Sequence, residues 1–318
     1  MRTALVTGIT GQDGSYLAEQ LLERGYRVVG VHRRLSAENH WRIEHLDALV
    51  LRYADLHDLG SLYDLVEEYR PDEIYNLAAQ SFVPTSWTQP LLTAEATGLG
   101  LVRLLEAVRR VHPAARVYQA SSSEMFGNSP DCPQNEDSRF APASPYACAK
   151  LYAHMMVQNY RQAHGLFVVS GILFNHESPR RGLEFVTRKV AHGVARVHLG
   201  RVDKLRLGNL TARRDWGFAG DYTQAMWSML QQDRARDFVV ATGVDHSVED
   251  LVRLAFETLG RDWREHVEQD PRLFRRNEVV RLRGDASRAR ESLGWEPRVQ
   301  FPDLVRMMVE AEVARLQV

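Results

Sequence analysis

Cysteine is nearly missing from this chain: Cys132 and Cys148 are the only two in 318 residues, and they stand in no metal-type spacing. A disulfide-built scaffold is therefore excluded, and no metal site is expected. Long apolar runs are missing too, since none reaches the roughly 18 residues that a membrane span needs. The first short run, ALVTGIT, is cut by Gly11-Gln-Asp-Gly14 before it could form the core of a signal peptide. The expected setting is cytoplasmic, without membrane contact. Neither sign of charge dominates, because 40 basic and 41 acidic side chains nearly cancel, and nothing in that balance points to nucleic acid as a partner. Repeats, low-complexity segments and long linkers are also lacking. The remainder is an ordinary globular composition, 44% hydrophobic, long enough for one large α/β domain carrying a smaller lobe.

Apolar runs of strand length alternate with helical patterns through the first half. The runs are Thr3 to Val6, Arg27 to Val31, Ala48 to Arg52, Glu73 to Asn76, Arg116 to Gln119 and Phe167 to Ile172. Helices are expected at Ser15 to Glu23, Leu59 to Tyr69, Leu99 to Val111 and Pro145 to His164, the last stopped by Gly165. Strand and helix in alternation specify an α/β fold with a doubly wound parallel sheet of the Rossmann type. After Ile172 the pattern loosens into FNHESPRRG, followed by helical patterns at Phe185 to Leu199, Asp221 to Gln231, Val248 to Leu259 and Asp303 to Arg315. We divide the chain into a nucleotide-binding domain, residues 1–173 and 213–241, and a substrate-binding lobe, residues 174–212 and 242–318, set over the carboxyl ends of the strands.

Gly8, Gly11 and Gly14 follow a strand and open a helix, so the turn that also holds Gln12 and Asp13 can present backbone amides to a pyrophosphate. The end of the second strand carries His32, Arg33 and Arg34 where a grip on the ribose of NAD would need a carboxylate. Two guanidiniums there match the 2'-phosphate of NADP. Asp55 and Leu56, after the third strand, are placed to meet the adenine edge. Ala78, Ala79 and Gln80, after the fourth, let backbone approach the cofactor.

Tyr146 and Lys150 stand one helical turn apart, so both serve one face. A free tyrosine has a pKa near ~10, and bringing it to about 7 takes roughly 4 kcal/mol, which a neighbouring ammonium and a cationic nicotinamide could supply. Tyr146 is then the general base for a substrate hydroxyl. Ser121, Ser122 and Ser123 end the fifth strand beside it, and Glu124 follows at the lip of the cleft. A carboxylate there can take a carbon-bound proton next to a ketone and help a hydroxyl depart, which plain ketone reduction does not require. Met125, Phe126 and Cys148 are expected to be packing residues.

The segments TGITGQDGSYLAE, YNLAAQSFV, YQASSSEMFG, SPYACAKLYAH, GILFNHESPRRG, EFVTRKV, RRDWGFAGDY, DFVVATGV and LGW run almost from end to end. Together they resemble the GDP-mannose 4,6-dehydratase family of extended short-chain dehydrogenases. The resemblance implies bound NADP, a GDP-sugar substrate and a redox-neutral dehydration to the 4-keto-6-deoxy sugar. It puts catalytic roles on Ser122, Glu124, Tyr146 and Lys150, and GDP-sugar contacts on Ser81, Asn175, Val186, Lys189, Arg214, Arg275 and Glu278, with Ser122 and Glu124 also touching the sugar. His176 would lie near the nicotinamide, and the basic loop from Arg33 to His40 would help join subunits into a homotetramer or dimer. The chain departs from the family pattern at Ser122, usually threonine, at Ala143, usually arginine, and at Arg276-Asn277, usually Pro-Ala. The exact sugar, mannose or a manno-heptose, therefore stays open. Two rival readings remain: a GDP-sugar reductase or epimerase, against which Glu124 argues, and a catalytically silent NADP sensor.

Overall fold

The computed structural model describes residues 1–274 and 277–317. Six strands come in chain order, β1 (Thr3–Thr7), β2 (Arg27–His32), β3 (Val50–Tyr53), β4 (Glu73–Asn76), β5 (Arg116–Ser122) and β6 (Val168–Leu173). With Phe238–Val240 they form an all-parallel sheet in the order Phe238–Val240, β6, β5, β4, β1, β2, β3. A parallel sheet is covered on both faces, and the strand residues divide by twos accordingly. Leu5, Val29, Ile74, Val117 and Val168 pack against the helices Leu59–Tyr69, Gly100–Val111 and Pro145–His164. Ala4, Val6, Val28, Tyr75, Tyr118 and Val169 face the helices Gln12–Glu23 and Ala219–Leu230.

The doubly wound parallel sheet and its smaller lobe are as the sequence implies. The residues expected for β4 and for the helices at 59–69 and 145–164 match without a shift. Gly165 ends the last of these in the left-handed region, at φ 65°. Other boundaries move by a few residues: the first helix begins at Gln12, and β5 runs on to Ser122.

A smaller sheet lies beyond the carboxyl end of β6. Its strand Arg213–Phe218 pairs with Asn175–Glu177, Asp245–Ser247 and Arg281–Leu282. Trp216, Val190, Val194, Leu251, Phe256, Leu304 and Met308 build the core beneath it. The strand Arg213–Phe218 thus belongs to the small sheet, whereas the helix Ala219–Leu230 that follows packs on the large one. Strands of two or three residues carry too little periodicity to be legible in advance.

Candidate active site

The strand order reverses between β1 and β4, and the loops that leave these two strands nearly touch. Gly8 has φ +69°, and a Cβ there would sit 2.9 Å from the Ala78 nitrogen. One on Gly14 would sit 2.5 Å from the Gly8 oxygen and 2.7 Å from the Ile9 Cα. Only glycine fits at both positions. The helix that starts at Gln12 follows Gly11, which has no side chain to cap it, so its first amides remain donors for an anion.

A cavity of about 710 Å³ opens at the carboxyl ends of β1 to β4. Gly8 and Gly11, His32, Arg33 and Arg34, Asp55 and Leu56, and Ala78, Ala79, Gln80 and Ser81 all line it. The four loop groups named for a cofactor therefore converge on one space. Its volume, a floor where a Cβ would collide and two exposed guanidiniums at the β2 end fit a nucleotide carrying a phosphorylated ribose. The Asp55 carboxylate is engaged by His57, accepting from its backbone N–H at 3.0 Å and meeting Nδ1 at 2.6 Å. Burial pushes that carboxyl up, but the two His57 contacts outweigh it and the pKa is lowered.

Ser122, Glu124, Tyr146 and Lys150 form a second cluster, none of them lining that cavity. Ser144 caps their helix by accepting from the Ala147 N–H at 3.1 Å, and Pro145 fills its first turn. Tyr146 and Lys150 then lie buried on its inward face, with Nζ 5.8 Å from the centre of the Tyr146 ring. The Ser122 hydroxyl accepts from the Glu124 N–H at 3.2 Å. Burial pushes the Tyr146 phenol up to about 12, with Ser122 and Arg181 pulling the other way and Glu124 adding to the rise. Burial pulls Lys150 down to about 8. Cys148 is a correction: it is exposed, not packed, because it lies on the helix face opposite Tyr146 and Lys150. Met125 and Phe126 are fully buried, as expected.

A polar ladder missed in the sequence supports Lys150. Thr7 Oγ1 accepts from the Leu77 and Ala78 N–H groups at 3.1 and 3.2 Å and donates to Asn76 Oδ1 at 2.7 Å. Asn76 donates to Gln119 Oε1 at 2.7 Å, and Gln119 donates to the Ala120 carbonyl at 2.9 Å. That carbonyl also accepts from Lys150 Nζ at 2.7 Å. The hydrogen bonds thus run from the loop beside Gly8 to the lysine. The available signal was a polar residue near the carboxyl end of three adjacent buried strands.

Gln12 and Asp13 reach across to the segment after β6. Gln12 donates to the His176 carbonyl at 3.1 Å and accepts from Ser178 Oγ at 2.8 Å. His176 Nε2 lies 2.8 Å from Asp13 Oδ2, and its Nδ1 lies 2.8 Å from the Phe174 carbonyl. Burial alone would raise the Asp13 carboxyl, but His176 brings it down to about 2. Burial lowers His176, yet Asp13 outweighs it and the net shift is upward. Arg181, to which the sequence reading gave no role, sits 3.5 Å over the Phe185 ring and acts electrostatically on Asp13, Tyr146 and His176.

Of the residues named for the GDP-sugar, Val186 and Lys189 occupy the first turn of the helix Val186–His198, and Asn175 begins a strand of the small sheet. Arg214 is buried, donates to the Val279 carbonyl at 2.8 Å and lies 3.8 Å from Glu278. Arg275 lies outside the described residues. Two departures from the family pattern meet here, as Asn277 donates to the Ala143 carbonyl at 3.0 Å.

The family model for GDP-mannose 4,6 dehydratase matches residues 5–308. GDP-mannose 4,6 dehydratase 1 of Arabidopsis thaliana is 51% identical over 98% of this chain and 90% of its own length. GDP-mannose 4,6 dehydratase of Homo sapiens is 48% identical over 98% of this chain and 91% of its own. Among solved structures, RMD from Pseudomonas aeruginosa complexed with NADPH has a TM-score of 0.83 at 25% identity, covering 99% of this chain and all of the other.

Proposed function

The chain belongs to the GDP-mannose 4,6-dehydratase family, and from that premise we propose that it converts GDP-mannose to GDP-4-keto-6-deoxymannose and water with NADP as a resident cofactor. The observation that carries this reading is Glu124 beside Tyr146 and Ser122 at the carboxyl end of β5. A reductase or epimerase needs no such carboxylate.

Gly8, Gly11, Gln12, Asp13, Gly14, Arg33, Arg34, Asp55, Leu56, Ala78, Ala79, Gln80, Tyr146, Lys150 and His176 hold the cofactor. Bound there, it supplies reversible hydride storage, so that carbon 4 is oxidised and carbon 6 later reduced with no net redox change. Tyr146 takes the proton of the 4-hydroxyl, with Lys150 holding positive charge nearby. The resulting ketone acidifies the proton on carbon 5, and Glu124 removes it. Glu124 and Ser122 then assist departure of the hydroxyl from carbon 6. Residues 1–173 and 213–241 serve the cofactor, and residues 174–212 and 242–318 serve the sugar nucleotide. Toward the sugar nucleotide, Lys189, Arg214 and Arg275 neutralise the diphosphate, Glu278 accepts from ribose or base, and Ser81, Asn175 and Val186 complete the contacts, with Arg214 and Ser81 contributed from the cofactor-binding ranges. The two exposed free thiols fit a reducing, cytoplasmic setting.

Mass spectrometry of the product tests the reaction: GDP-mannose should lose one water, and UDP- and dTDP-hexoses should pass unchanged. No loss of water from any GDP-sugar, with cofactor bound, would favour the sensor. A large preference for GDP-manno-heptose would change the sugar and keep the chemistry.

The choice of NADP rests on Arg33 and Arg34. Replacing both with alanine removes two charge-assisted contacts and should weaken NADP binding about 100-fold while leaving NAD nearly unaffected. Fluorescence titration measures this, and equal wild-type affinity for the two cofactors would refute the assignment.

A homotetramer or dimer is also proposed, with the segment from Arg33 to His40 of one copy reaching the cofactor site of another. The exposed Leu35 and Trp41 at this segment support it. Light scattering should find a multimer, and a fully active monomer would exclude the arrangement.

A further inference from the structure

Two histidines stand at the β2 end of the cavity without a role in the reaction above. His32 is the last residue of β2, and His40 closes the loop that follows. Both line the cavity alongside Arg33 and Arg34. Their rings meet edge to face, with centres 4.9 Å apart, and His40 Nε2 points at His32 Nδ1 across 3.4 Å. The Tyr53 ring also packs on His32, centre to centre 4.6 Å.

Two ring nitrogens that face each other have room for one hydrogen between them. On its other side, His40 turns Nδ1 toward Glu38 Oε2 at 3.7 Å. A doubly protonated His40 would therefore find an acceptor at each nitrogen: the His32 lone pair and the Glu38 carboxylate. His32 is suited to the accepting role, since burial, and then His40, lower its pKa. The other charged or titratable groups around the pair are Arg33 and Arg34 from the same segment, Tyr53, Asp55 and His57 from the end of β3, and Glu184 on the cavity wall. Glu38 also lines the cavity, where its charge opposes that of an incoming phosphate. A proton on His40 offsets it.

We propose that His32 and His40 complete, with Arg33 and Arg34, the pocket for the 2'-phosphate of the cofactor, and that the histidine pair holds one added proton when that phosphate is bound. The inference rests on the NADP reading. Neutral pair, phosphate dianion and one proton from solvent combine into an ion pair, so binding takes up a proton and strengthens as pH falls. The phosphate's own second ionisation, with a pKa near ~6, works in the opposite sense and cannot produce that trend.

Calorimetric titration of the full chain with adenosine 2',5'-bisphosphate and adenosine 5'-monophosphate, at pH 6.5 and 8.5 and in two buffers of different ionisation heat, tests the idea. For the wild type, the preference for the bisphosphate should grow about fivefold from the higher to the lower pH, with net proton uptake. His40→Gln and His32→Asn should each keep a preference, owed to the arginines, but lose its growth with acidity. His40→Gln lies in the loop and leaves the sheet intact, and monophosphate binding reports the fold in both variants. If both variants keep the wild-type growth, or the wild type shows none, the histidine pair has no such part. If the wild type prefers the bisphosphate at neither pH, the NADP reading fails and this inference with it.

Discussion

Glu124→Gln should stall dehydration at its second stage while leaving the first intact. Glutamine keeps the size of the side chain but cannot take a proton. Losing a positioned acid/base costs about 100- to 10,000-fold in rate, roughly 3 to 5 kcal/mol of barrier. Oxidation at carbon 4 relies on Tyr146 and should survive, so the variant mixed with substrate should accumulate a 4-keto sugar that still carries its 6-hydroxyl. Wild type in deuterated water should place solvent deuterium on carbon 5. The Ser122 hydroxyl accepts from the Glu124 backbone N–H, so the turn itself should hold when the carboxylate is changed. If Glu124→Gln dehydrates at the wild-type rate, or wild type leaves carbon 5 unlabelled, another group is the eliminating base.

Why this carboxylate was legible, and its supports were not, follows from how far apart the partners lie in the chain. The strand runs, the glycine turn and the Ser144-Pro145 helix start are local signals, each written in a few consecutive residues. Tyr146 and Lys150 could be put on one face because one helix sets their relation. The ladder from Thr7 through Asn76 and Gln119 to the Ala120 carbonyl depends on the register of three strands, which no local pattern states. The contact of Asp13 with His176 joins residues 163 positions apart. Each was individually visible as a named cofactor residue, yet not as a pair. The exposure of Cys148 was available in principle, since the helix period sets it opposite Lys150. The small sheet, with strands as short as Arg281–Leu282, was beyond periodicity altogether.

Tyr146→Phe should be the most damaging single change in the cluster, lowering kcat by about 1,000-fold or more. The reason lies in the burial that raises this phenol to about 12 and lowers Lys150 to about 8. Ionising a group with that pKa at pH 7 costs about 7 kcal/mol, so Tyr146 accepts a substrate proton only where nearby cations offset most of the cost. Arg181 acts in that direction, and the Lys150 ammonium 5.8 Å from the ring adds to it while it remains protonated. The sign follows from counting protons: below about 8 the phenolate–ammonium pair is reached by losing one proton, so activity rises with pH, and above about 8 neutral lysine and neutral phenol hold the same number of protons as the pair, so activity levels off. For the wild type, kcat/KM should rise about tenfold per unit toward that pH and then level off. Lys150→Met, which carries no charge at any pH, should be slow throughout and keep rising with pH past about 8 without levelling. The Ala120 carbonyl also loses its lysine donor in that variant, so circular dichroism should accompany the rates to separate a local chemical loss from a general one. A wild-type profile that does not rise toward about pH 8, or a break near 8 that persists in Lys150→Met, would take the lysine charge out of the mechanism.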